Sequence, residues 1–104
     1  MAKFIYLYRG ATPDLTPEQG VERMAAFAAW MEKVGPALVD AGNPFGASAS
    51  LRDDGAEGAA GDLIGYSVVE ADDLAAAKAF TDGLPFLSDG DGKCAVEIFE
   101  LLQM

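Results

Sequence analysis

The sequence predicts an α+β domain in which strand, helix, strand, strand, helix and strand follow one another along a chain of 104 residues. Three observations predict it. Short runs rich in β-branched and aromatic residues stand at 3–9, 63–70 and 94–102, with a weaker one at 47–52. Two longer stretches open on helix-capping residues and carry helical spacing or an alanine-rich run. Clusters of Gly, Pro, Asp and Ser separate these segments, and no internal repeat or long linker interrupts them. One domain covering 1–104 is expected.

The first strand, "KFIYLYR", puts Phe4, Tyr6 and Tyr8 on one face and Ile5 and Leu7, with Lys3 and Arg9, on the other. Both faces are apolar, so the strand belongs inside a sheet covered on both sides. "LTPEQ" opens the first helix: Thr16 caps, Pro17 suits the first helical position and Gln19 completes a capping box. Met24, Phe27, Ala28, Met31, Val34 and Leu38 form its apolar stripe. Gly35 and Pro36 are expected to kink it and Gly42 to end it. Trp30 falls on the shoulder of the stripe, either as core edge or as a pocket wall.

"NPFGASASLRDD" reads as a loop running into a short second strand at 47–52, and "DDGAEGAAGD" as turn. "LIGYSVVE" is the third strand, with Ile64, Tyr66 and Val68 on one face. Asp72 or Asp73 starts a second helix that is expected to reach about residue 82 and stop at Gly83. "PFLSDGDGK" is a turn-rich loop and "CAVEIFELL" the last strand.

This order is the ferredoxin-like βαββαβ plan: a four-stranded antiparallel sheet with two helices on one face. The other face is left open, and Phe4, Tyr6 and Tyr8 or their counterparts would stand there in water. Pairing two such sheets about a twofold axis would bury that patch, which predicts a homodimer.

Composition removes several function classes. The net charge is -10, and the 7 basic residues are scattered singly, so no basic stripe exists for nucleic acid or an anionic membrane. No apolar run approaches the roughly 20 residues that cross a bilayer. The single cysteine permits no internal disulfide, and the N-terminus resembles no signal peptide, so a cytoplasmic location is expected. With 0 histidines, the commonest general base at neutral pH and the usual zinc ligand are missing. No cofactor or metal is expected, and any catalysis must run on carboxylates, Tyr, Lys, Arg or Cys94.

The carboxylates of "EADD" sit between a strand and an alanine-rich helix, where the positive end of a helix and its orphaned N–H groups favour them, so they read as a cap before they read as a catalytic cluster. The first and third strands are expected to run parallel, which would bring Arg9, Glu70 and the helix cap to one end of the sheet, with an Arg9–Glu70 ion pair. Trp30 and Tyr66 would supply an aromatic wall there. Arg9, Trp30, Tyr66 and Glu70 are therefore the candidate ligand-binding residues, while no catalytic residue is assigned. Cys94 reads as a small buried apolar residue, and neither "GNPFGAS" nor "DGDGK" has the spacing of a phosphate or calcium loop.

"GYSVVEADDLAAAKAFTDGLP", preceded by "KFIYLYRG" and by "WMEKVGPALVDAG", resembles the YCII-related (DGPF-domain) family over nearly the whole chain. The resemblance implies a dimeric α/β-barrel on the ferredoxin-like plan. The family consists mostly of uncharacterised small bacterial proteins, with a few that resemble ring-cleaving or dehydrochlorinating lyases. Of the Asp-Gly-Pro-Phe signature only Asp54-Gly55 remains here, and the His-Asp pair of the family's proposed enzymes has no counterpart. The expectation is a small-molecule-binding homodimer without histidine-based catalysis, whose partners are a second copy of itself and a small organic ligand. A lyase- or isomerase-like enzyme and a protein-interaction module are the alternatives.

Overall fold

The computed structural model describes residues 1–10, 16–87 and 94–103. The turn-rich stretch expected at 88–93 lies outside the described residues. Among the described residues, six strands and two α-helices appear in the order β1 (Ala2–Arg9), α1 (Pro17–Val34), β2 (Leu38–Asp40), β3 (Ser50–Leu51), β4 (Glu57–Gly58), β5 (Leu63–Ala71), α2 (Leu74–Ala79) and β6 (Ala95–Leu101). A four-stranded antiparallel sheet has the order β2-β5-β1-β6, and β3 pairs with β4 as a separate hairpin.

The predicted class stands, but its second strand moves. Helix α1 does not kink at Gly35-Pro36; it ends at Val34, and Gly35 closes it at φ +64°, with its N–H returning to the carbonyl of Met31. Glycine takes that left-handed backbone without the steric penalty a β-carbon brings. One turn of 3-10 helix then delivers Leu38–Asp40 to the sheet edge, where the stripe had been read as helix. Residues 47–52 contribute only to the hairpin. The start of α1 is as predicted, with Thr16 and Gln19 bonded reciprocally in a capping box.

A second correction concerns strand direction. Strand β5 lies between β2 and β1 and is antiparallel to both, pairing Lys3 with Glu70, Leu7 with Tyr66 and Arg9 with Leu63. The strand that follows β2 by a hairpin connection must reverse, and here it inserts beside β1. Arg9 and Glu70 are consequently at opposite ends of the sheet.

The third correction concerns its faces. Residues directly opposite in an antiparallel pair project from the same side. Phe4, Tyr6 and Tyr8 are buried beneath the helices with Gly65, Ser67, Val69 and Ala71. Tyr6 packs against Trp30 of α1 and donates a hydrogen bond to the carbonyl of Ala77 in α2, which places both helices on this side. Tyr8 donates to Ser67 Oγ at 2.7 Å, and Ser67 donates to the carbonyl of Ala41 at 2.7 Å. These bonds let tyrosines do the work of core residues, because a buried hydroxyl without a partner would be costly. Burial is also what pushes the Tyr6 hydroxyl up to about 12 and raises that of Tyr8.

Trp30 is at the centre of this core, 2% exposed, and donates its indole N–H to the carbonyl of Phe80 at 2.6 Å. The buried arc of α1 runs through Phe27, Trp30 and Val34, whereas Met24 is 75% exposed. An indole buries far more surface than the alanines around it, so it sets the rotation of the helix. Helix α2 is capped by Asp73, whose carboxylate accepts from the N–H of Ala76 at 2.8 Å, and ends at Ala79. Turns at Thr81–Gly83 then carry the chain to buried Leu84.

Candidate functional site

The open face of the sheet carries Ile5 and Leu7 from β1, Tyr66 and Val68 from β5, and Phe99 and Leu101 from β6, as the registers require. Ile5, Leu7 and Val68 are half-buried by one another and Phe99 is 52% exposed. Polar groups bracket this apolar strip: Lys3 and Glu70 face each other at one end, and a denser cluster occupies the other.

At the dense end the C-terminus of β1, the N-termini of β5 and β6 and the end of β2 converge. Arg9 Nη1 meets Asp62 Oδ1 at 2.8 Å and Arg9 Nε meets Glu97 Oε1 at 2.8 Å. The Nε contact is an ion pair without hydrogen-bond alignment, since the N–H is not aimed at an acceptor. Next to Arg9 on the diagonal, Tyr66 donates its hydroxyl to Asp40 Oδ2 at 3.1 Å. Asp40 Oδ1 accepts from the N–H of Gly42 at 2.8 Å, which orients the carboxylate toward the phenol. Gly42 has φ +79°, and a β-carbon there would lie 1.6 Å from the carbonyl oxygen of Tyr66, so only glycine lets this turn close onto β5. Phe45 stacks on Tyr66 with ring planes 16° apart and centroids 5.9 Å apart.

The hydrogen bond to Asp40 and its charge raise the Tyr66 hydroxyl above its ordinary value, while Asn43 opposes the shift. A phenol held protonated this way donates hydrogen bonds and is a weak nucleophile and a weak base. Among the described residues no three of His, Cys, Asp and Glu gather to hold a metal, and no helix is long and apolar enough to cross a membrane.

Of the candidate residues, Arg9 and Tyr66 meet on this surface. Glu70 is at the far end of β5 opposite Lys3, and Trp30 is on the helix side of the sheet, so neither belongs to this cluster. Sequence reasoning missed Asp40, Phe45, Asp62 and Glu97. Correct strand direction would have found Asp62 and Glu97 beside Arg9, and moving the second strand to 38–40 would have found Asp40 beside Tyr66. Cys94 is a free, half-buried thiol. Grooves among the described residues include one around Lys78, Asp82 and Leu87 and one at the far end of the sheet, where Met1 and Lys3 meet Leu102.

A two-layer α+β chain with ferredoxin-like strand order and an uncovered apolar sheet face is the class these features define. The chain belongs to the YCII-related family: residues 4–102 match the model of the YCII-related domain. Comparison with curated proteins and with solved structures gives no match.

Proposed function

We propose that this protein is a homodimer that pairs the open faces of two sheets and binds a small organic molecule at the Arg9–Tyr66 end. The observation that carries the reading is the open face itself. Ile5, Leu7, Val68, Phe99 and Leu101 form one continuous apolar strip with a polar, aromatic-capped cluster at its edge. A monomer would leave that strip in water; a second copy would remove it and turn the edge cluster into the wall of an enclosed cleft.

Within that cleft Tyr66 and Arg9 orient a ligand through hydrogen bonds, and Phe45 and Tyr66 present ring faces to a planar one. The Tyr66 phenol, held protonated by Asp40, donates a hydrogen bond rather than attacking, which favours a binding protein over a lyase or isomerase. Solution NMR tests the reading through a titration with small aromatic and hydroxy-acid ligands. Saturable shifts at Tyr66, Phe45 and Leu7 are expected for a cognate class, without matching shifts at Trp30. Saturable shifts at Trp30, with Tyr66 unmoved, would place binding elsewhere and overturn the proposal.

A further inference from the structure

We propose that the β3–β4 hairpin, residues 46–61, is an arm that packs across a second copy of this chain. The inference rests on the dimer reading above and adds a second contact region to it.

The arm is well formed yet has no core of its own. Ser50 pairs with Gly58 and Leu51 with Glu57. At the tip, the N–H of Arg52 donates to the carbonyl of Ala56 at 2.9 Å, that of Gly55 to the carbonyl of Arg52 at 3.0 Å, and that of Ala56 to Asp54 Oδ1 at 2.9 Å. The N–H of Ala60 donates to Ser48 Oγ at 3.2 Å. Throughout 46–61 only Ser50 is even half-buried, and Leu51 is 75% exposed. A two-stranded hairpin alone is marginal in water and gains stability when a further strand or an apolar surface covers one side.

The arm leaves the body at the rim of the open face. Its root is fixed there by the N–H of Phe45 donating to the carbonyl of Ile64 at 2.8 Å, by the Phe45–Tyr66 stack and by the Arg9–Asp62 ion pair. The radius of gyration is 15.1 Å, against about 13 Å for a compact chain of this length. Projection of the arm from the sheet is consistent with this difference.

Area decides what the arm is for. Strands about 4.8 Å apart rising about 3.3 Å per residue give the three long strands a footprint of roughly 300–450 Å². A stable pair of proteins buries about 800 Å² on each side. The open face alone therefore supplies only about half of an ordinary interface, and the arm is the nearest unused surface. In a twofold arrangement each arm crosses the other copy, so its contribution is made twice.

Sedimentation equilibrium on the wild-type chain, on Leu51→Ser and on a chain with 48–60 replaced by a short Gly-Ser linker tests this, with far-UV circular dichroism as the fold control. Leu51 contacts little in its own copy, so Leu51→Ser should leave the monomer fold intact and weaken dimerisation about tenfold or more. The linker variant should weaken it further. A wild-type dimer with both variants within about twofold of its dissociation constant overturns the arm and leaves the sheet-face dimer standing. A wild-type monomer removes both. If the linker variant fails to fold, Leu51→Ser decides alone.

Discussion

Replacing Trp30 with phenylalanine separates a core tryptophan from a pocket wall. The side chain is buried between Tyr6, with ring centroids 6.2 Å apart, and Phe27, at 5.5 Å. Its N–H donates to the carbonyl of Phe80, the residue that caps the C-terminus of α2. The substitution removes that donor and leaves the carbonyl without it, a loss of about 1–3 kcal/mol. It also opens a gap where the second ring stood, and truncations of buried aromatics cost up to about 3–5 kcal/mol when taken to alanine. The sum for phenylalanine is roughly 2–4 kcal/mol, a large part of the 5–15 kcal/mol that holds a domain together. Urea unfolding followed by far-UV circular dichroism measures it, because the only tryptophan is lost in the variant. Protein concentration must be held fixed, since a dimer's midpoint depends on it. Tyr66→Phe is the matched control and should cost less than about 1 kcal/mol, because its hydroxyl bond to Asp40 is at the surface. A Trp30→Phe loss below about 0.5 kcal/mol would refute the core assignment and return Trp30 to the candidate site.

Other perturbations probe other links. Asp73→Ala should lower stability by about 1 kcal/mol through loss of the α2 cap, while exposed Asp72→Ala should change it by less than about 0.5 kcal/mol; equal effects in parallel thermal melts would contradict the cap. Tyr6, Tyr8 and Tyr66 all hold their protons more tightly folded than unfolded. Their contribution to stability should therefore be constant below pH 10 and be lost as pH rises from 10 toward about 12, on the order of 2 kcal/mol from Tyr6, and Tyr6→Phe should shrink the fall. Each copy carries a net charge of -10, so raising salt from about 10 to 150 mM should tighten dimerisation by screening repulsion; looser association in higher salt would mean that ion pairs dominate the interface.

The fold was legible where one residue type has one local use. Thr16, Pro17 and Gln19 announced the start of α1, and the alternation in β1 and β5 announced half-buried strands, because capping and side-chain alternation depend on near neighbours. Rotation of α1 was not legible: alanine suits either face, and the stripe through Met24 and Ala28 weighed small residues equally with an indole. Nor was the end of α1, since Leu38 continues a helical spacing and also suits an edge strand. The site suffered most, because it depends on which strand ends meet. Reading β1 and β5 as parallel put Glu70 beside Arg9, whereas the antiparallel register puts Glu70 opposite Lys3 and gives Arg9 to Asp62 and Glu97. Of the acidic run read as a cap, Asp73 is the acceptor, while Glu70 lies within β5 opposite Lys3.

The central claim is that the face holding Ile5, Leu7, Val68, Phe99 and Leu101 is buried against a second copy. Light scattering coupled to gel filtration, at micromolar protein and 150 mM salt, measures this most directly. The account predicts a mass twice that of the 10.8 kDa chain, falling toward one chain when Val68 is replaced by lysine with the fold retained. A wild-type mass of one chain, or a dimer that Val68→Lys leaves intact, would contradict it.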